Sequence, residues 1–172
     1  MDRLMTVDGK RFTDYLRQVV YPKMAKHTRS SDHVMEICTR HDRGVISLSI
    51  VPHAEWTNID RDGCRPGLTL DVLEDEIPRC DVVISTAILH HTEKALLPDL
   101  MRVLCESASR AVILSGPNAE YVPNLIGDHE YHIDGGEICG LAHDNGFHLK
   151  ASERIGLSDP LCGILLVFER DS

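Results

Sequence analysis

Two rhythms of apolar residues alternate along the chain. The first is a stripe at helical spacing. In RFTDYLRQVVYPKMAK (11–26), Phe12, Tyr15, Leu16, Val19 and Val20 share one face, so an amphipathic helix is expected there, kinked or ended by Pro22. EKALLPDLMRVLCES (93–107) carries a second stripe at Leu96, Leu97, Leu100, Met101 and Leu104. DGGEICGLAHDNGF (134–147) predicts a shorter helix stopped at Asn145-Gly146, where glycine can take the left-handed conformation that closes a helix. The second rhythm is the short apolar run of a strand. It recurs in HVMEI (33–37), AEWTNID (54–60), LTLDV (68–72) after the turn residues Pro66-Gly67, and CDVVISTAIL (80–89). It returns in RAVILSGP (110–117), HLKASERIG (148–156) and CGILLVFER (162–170). CDVVISTAIL is the most continuous, as a central strand covered on both faces would be.

One segment reads both ways. GVISLSIVP (44–52) alternates Ile46, Leu48 and Ile50 with Ser47 and Ser49, a strand pattern in isolation. A strand there would leave about six residues after HVMEI, fewer than the dozen or so that a parallel crossover needs. Read as a short helix, it completes a β-α-β unit over 33–60, and helix is therefore expected. Strands alternating with helices imply a parallel, doubly wound sheet. The short loop between the last two strands implies an antiparallel hairpin at one edge. The expected fold is an α/β, Rossmann-like three-layer sandwich with a mostly parallel seven-stranded sheet. One domain spans 1–172, and its first 32 residues form a helical segment.

Charge and composition narrow the function classes. The formal net charge of -9 argues against general nucleic-acid binding, which needs a clustered Lys/Arg surface. Lys10, Arg11, Arg17, Lys23, Lys26 and Arg29 read as a solvated helix face. No apolar stretch approaches the ~20 residues of a bilayer span, and MDRLMTVDGK lacks the apolar core of a signal peptide, so no membrane partner is expected. Cys38, Cys64, Cys80, Cys105, Cys139 and Cys162 are scattered without a CxxC pair, which speaks for a reduced, cytoplasmic setting and against structural zinc. At 172 residues the chain can bury ~70% of its unfolded surface and needs no cross-links to fold.

The order and spacing of the strand ends carry a resemblance. MEI ends in the region of Glu36, the second strand ends at Asp60, TLDVLEDEIP places Asp71 after the third, and DVVISTAILHH forms the fourth. HEYHIDGGEICGLAHDNGFHL and a closing hairpin follow. From His33 to Arg170 the chain resembles the class I S-adenosylmethionine-dependent methyltransferases of the small-molecule type. The resemblance implies S-adenosylmethionine as cofactor, a small-molecule substrate, and a ligand outside the carboxyl ends of the strands at the switch in strand order. It implies that Asp60 accepts the ribose hydroxyls and Asp71 the adenine amino group. Glu36 would orient the adjoining loop or the ligand's amino group, and Ser85 and Thr86, with Ala87, would line the methionine side. Each acid has a plainer alternative as a turn or helix-cap carboxylate.

The chain departs from the pattern in one place. Positions 38, 40 and 42, glycines by the resemblance, hold Cys38, Arg40 and Asp42. Glycine serves such a turn by taking φ > 0 and letting a ligand approach bare backbone. The altered loop could hold the cofactor along another path, with Arg40 or Arg43 on its carboxylate. It could also admit a different anionic ligand, or none. Two functions stay open: a methyltransferase-like protein acting on a small molecule, and a cofactor-free relative serving as a subunit or scaffold with a protein partner or as a homodimer. A different reaction in the same pocket is a third. Methyl transfer needs alignment, plus a base where the acceptor must lose a proton. His90 and His91 after the fourth strand and His129 in the loop after the fifth are candidates, with helix capping or solvent exposure as the plain alternative. His129-x-x-His132 with Glu130 is not the HExxH pattern, and no metal is expected.

Overall fold

The computed structural model describes residues 14–37, 43–63, 67–86, 88–117, 134–155 and 163–171, and the structural statements below concern those residues. Helical turns run from residue 14 to His27. A wide π-helical turn, Leu16–Val20, leads into α1 (Tyr21–Met24), and a 3-10 turn, Ala25–His27, closes it. Pro22 does not end this helix. Its ring falls in the first turn of α1, where a missing N–H is least costly, and the widened turn before it takes up the clash one turn back.

β1 (His33–Ile37), α2 (Arg43–Ile50) and β2 (Glu55–Asp60) form the expected β-α-β unit, so the ambiguous GVISLSIVP segment is a helix. Its serines are compatible with that state: Ser49 Oγ donates to the Ile46 carbonyl at 2.7 Å and Ser47 is fully buried. β3 is only Leu68–Thr69, shorter than the expected 68–72. Asp71 turns the chain there. Its Oδ1 accepts the Leu73 N–H at 2.9 Å and its carbonyl accepts the Asp75 N–H at 2.9 Å, a local arrangement that competes with the ladder. β4 (Cys80–Ser85) also stops short of 80–89, because Ile88 and Leu89 open α3 (Ile88–His91). Both are buried, so the apolar run spans a strand end and a helix start, a boundary that periodicity does not mark.

A 3-10 turn, Lys94–Leu96, leads into α4 (Leu97–Ser107), followed by β5 (Ala108–Pro117), α5 (Gly135–Asp144), β6 (Phe147–Ile155) and β7 (Gly163–Arg170). Asp134 caps α5 by accepting the Gly136 N–H at 2.8 Å, and the helix stops at Gly146, whose φ is 77°. The sheet order is β3-β2-β1-β4-β5-β7-β6. β1 to β5 pair in parallel, and β7 lies antiparallel between β5 and β6. This is the expected Rossmann-like architecture with its antiparallel hairpin.

Alternation along the central strands builds two cores. Met35, Ile37 and Val83 face Leu97, Leu100 and Met101 of α4 and Ile138 of α5. Val34, Val82 and Ile84 face Leu16, Val20, Tyr21 and Met24 of the N-terminal helical segment, with Ile46 and Ile50 of α2. At the amino end of the sheet, Asp81 accepts the His33 N–H and the Ser109 hydroxyl, each at 2.9 Å. The site below lies at the other end.

Candidate functional site

β1 and β4 are neighbours, and the chain winds away from them in opposite directions, toward β2 and β3 on one side and β5 on the other. Open parallel sheets bind ligands at this switch, beyond the carboxyl ends of the strands. A cavity of about 270 Å³ opens there. Ile37, Ile59 and Ile88 give it an apolar floor; Asp60, Asp71 and His91 are among its polar lining. That volume falls just below the roughly 300–1,000 Å³ of drug-sized pockets, enough for one compact ring system.

Asp60 ends β2 and is 5% exposed. Its Oδ1 accepts the Asp62 N–H at 2.9 Å, and its carbonyl accepts the Gly63 N–H at 3.2 Å, with Gly63 at φ 87°. Asp60 is thus both a turn carboxylate and a wall of the cavity. Asp71 is half-buried; besides holding the Leu73 N–H, its Oδ2 stands 4.0 Å from the Arg61 guanidinium. The two acids that the sequence singled out therefore stand on one cavity. His91, exposed at the end of α3, joins them. His90 lies on the same short helix, and its side chain is outside the described residues. Cys38, Arg40 and His129 also lie outside them.

Glu36 points to the opposite face of β1 from Ile37. It is fully buried. The Tyr21 hydroxyl donates to its Oε1 at 2.6 Å, and the Ser47 hydroxyl donates to its Oε2. The acid at the tip of β1 therefore ties α1 and α2 to the strand. Burial, and then the Glu36 charge, hold the Tyr21 phenol well above its ordinary pKa, so it stays a neutral donor. Ser85 and Thr86 follow at the tip of β4. Both are buried, and neither Ser85 Oγ nor Thr86 Oγ1 has a hydrogen-bond partner of regular geometry. Neither residue is among the described lining of the cavity.

Tyr21, Ser47 and Arg61 escaped the sequence reading. Tyr21 continues the apolar stripe of Leu16 and Val20, and that stripe was the available signal; nothing in the sequence marked its partner across the sheet. Cys80 and Cys105 behave as core residues: burial pushes their thiols up to about 12. Among the described residues no group of three or more His, Cys, Asp or Glu could hold a metal ion, and no helix is long and apolar enough to cross a membrane.

No protein-family model matches the chain, and no curated protein matches it in sequence. Solved structures do match in fold. Magnesium protoporphyrin IX methyltransferase from Synechocystis PCC 6803, with bound SAH, superimposes over 95% of this chain and 84% of its own at a TM-score of 0.67 and 18% identity. The 1,6-didemethyltoxoflavin-N1-methyltransferase of Burkholderia thailandensis covers 96% of this chain and 83% of its own, with a TM-score of 0.70 and 14% identity. The N-methyltransferase NodS of Bradyrhizobium japonicum WM9, in complex with S-adenosylhomocysteine, covers 98% and 91% at a TM-score of 0.70 and 8% identity. The chain has the fold of the class I S-adenosylmethionine-dependent methyltransferases.

Proposed function

We propose that this protein is a methyltransferase that takes S-adenosylmethionine as cofactor and a small molecule as acceptor. The observation that carries the reading is the cavity of about 270 Å³ bounded by Asp60 and Asp71 at the switch in strand order. Similar folds have been solved with bound SAM or SAH, which supports the same ligand class here.

The residues present fit that ligand. A carboxylate accepts hydrogen bonds and donates none. Asp60 therefore suits ribose hydroxyls and Asp71 suits an exocyclic amine. Ile37, Ile59 and Ile88 would exclude water from one face of the base. When bound, the cofactor supplies a methyl group already activated on a sulfonium. The chain's task is then alignment, which is worth several powers of ten in rate by itself. His91 on the cavity wall would accept a proton where the acceptor must lose one. Buried thiols at Cys80 and Cys105 support a reducing, cytoplasmic setting. The cavity beside Asp60 and Asp71 supports the cofactor-binding reading over the cofactor-free alternative.

Calorimetry with S-adenosylmethionine and S-adenosylhomocysteine tests the reading. Micromolar binding that Asp60→Ala weakens is the expected result. Silence at millimolar ligand would overturn it.

A further inference from the structure

The charge around the cavity is one-sided. Asp60, Asp62, Asp71 and Glu93 are all among its described walls. Arg61 is the one guanidinium among them, and it stands between two of the acids, 3.9 Å from the Asp62 carboxylate and 4.0 Å from that of Asp71. Its charge is thus shared out on the wall itself. Asp60 and Asp71 also hold backbone, through the Asp62 and Leu73 N–H groups. Asp62 and Glu93 are exposed and come from different elements: Asp62 follows β2, and Glu93 follows α3.

A fifth acid stands at the tip of β1. Glu36 is next in sequence to Ile37, which floors the cavity, and is fully buried. The Tyr21 and Ser47 hydroxyls donate to it, and hydroxyls solvate a charge without cancelling it. Salt screens a buried charge much less than an exposed one. A carboxylate brought to this edge of the sheet therefore meets like charge on several sides, and an amine meets attraction. The nucleoside is indifferent to this field, because it is uncharged and offers its hydroxyls and exocyclic amine as donors.

We propose that Asp62 and Glu93, added to Asp60 and Asp71, make the site selective against a carboxylate on its ligand, so that an adenosine thioether ending in an amine binds more tightly than one ending in an amino acid. This rests on the reading above, in which the nucleoside lies against Asp60 and Asp71, and it extends the ligand class to the decarboxylated form of the cofactor. Asp62 and Glu93 determine specificity and take no part in methyl transfer.

Calorimetry on the full chain at pH 8 compares three probes that share the nucleoside. S-adenosylhomocysteine carries an amine and a carboxylate, S-adenosyl-3-thiopropylamine keeps only the amine, and 5′-methylthioadenosine has neither. At about 0.02 M salt the amine probe should bind about threefold or more tightly than S-adenosylhomocysteine, and at about 0.5 M salt that margin should shrink toward one. Asp62→Asn combined with Glu93→Gln should shrink it likewise at low salt and leave the affinity for 5′-methylthioadenosine within about twofold. Both side chains are exposed, so the fold should tolerate the change, and the salt series on wild-type protein tests the field without any substitution. Equal or tighter binding of S-adenosylhomocysteine would put a cation on its carboxylate, as Arg40 or Arg43 would supply, and would overturn the proposal while leaving the methyltransferase reading in place. A preference for the amine that the double variant keeps in full would overturn the assignment to Asp62 and Glu93. A wild-type protein that binds none of the three probes would remove the reading and the proposal together.

Discussion

Asp60 and Asp71 reach one cavity from two different strand ends, eleven positions apart in sequence by their numbers, and the Arg61 guanidinium stands 4.0 Å from the Asp71 carboxylate at its mouth. Their protein duties differ, and so should the effects of neutralising them. Asp60 is nearly sealed, and a charge-assisted hydrogen bond to a ligand is worth about 1.5–3 kcal/mol. Asp60→Asn should therefore weaken S-adenosylhomocysteine by about ten- to a hundredfold, measured by calorimetry, with the fold intact by circular dichroism. Asp71 is more exposed and also holds the turn over 71–75, so Asp71→Asn should weaken the ligand less. Equal affinity of wild type and Asp60→Asn would remove Asp60 from the site.

Two glycines should respond to alanine with opposite signs. At Gly163 a Cβ would stand 2.7 Å from the Gly116 carbonyl oxygen, where β7 lies against β5. Backbone cannot step aside cheaply, and Gly163→Ala should cost about 1–3 kcal/mol by overpacking. Gly140 lies inside α5 with nothing within 4 Å of its added Cβ. Gly140→Ala should stabilise by about 0.5–1 kcal/mol, the helix-interior difference between the two residues. Urea unfolding of both variants checks the pair.

Much of this arrangement was legible in the sequence, for physical reasons that differ from element to element. Crossover length decided 44–52: a strand could not have reached the next parallel strand, and the segment is helical. The run CDVVISTAIL failed at its far end because burial, which makes a run apolar, does not say whether the backbone is strand or helix. LTLDV failed because Asp71 satisfies its own turn before the ladder can claim it. At the candidate site, Asp60 and Asp71 could be placed on the cavity because open parallel sheets put such clefts beyond their strand ends, whereas Glu36 at the tip of β1 is taken up by Tyr21 and Ser47. Tyr21 could not, since its apolar ring places it in the stripe while its hydroxyl acts on a strand fifteen residues away in number.

Ser85 gives a test of whether its buried hydroxyl is without a partner. A buried hydroxyl without a partner is a desolvation cost in the free protein, and removing it should cost nothing. Ser85→Ala should leave the unfolding free energy unchanged or raise it by up to ~1 kcal/mol, apart from the small loss of packing by one atom. A loss well beyond 1 kcal/mol in urea would mean that the hydroxyl has a partner in the folded chain.

The buried thiols carry an alkaline signature. Cys80 and Cys105 are pushed to about 12, mainly by burial, against about 8.5 in an unfolded chain. A group whose folded pKa is raised contributes stability that is complete below its unfolded pKa and is lost as pH rises through the folded one. Stability should therefore fall between about pH 8.5 and about 12, as the unfolded chain gains thiolate that the folded chain cannot form. At pH 8 both thiols should be inert to a thiol-specific reagent in native protein and react on addition of denaturant. Cys80→Ala combined with Cys105→Ala should flatten the alkaline limb of the stability curve, apart from any uniform loss of packing. Fast labelling of either cysteine in the native state at pH 8 would contradict their place in the core.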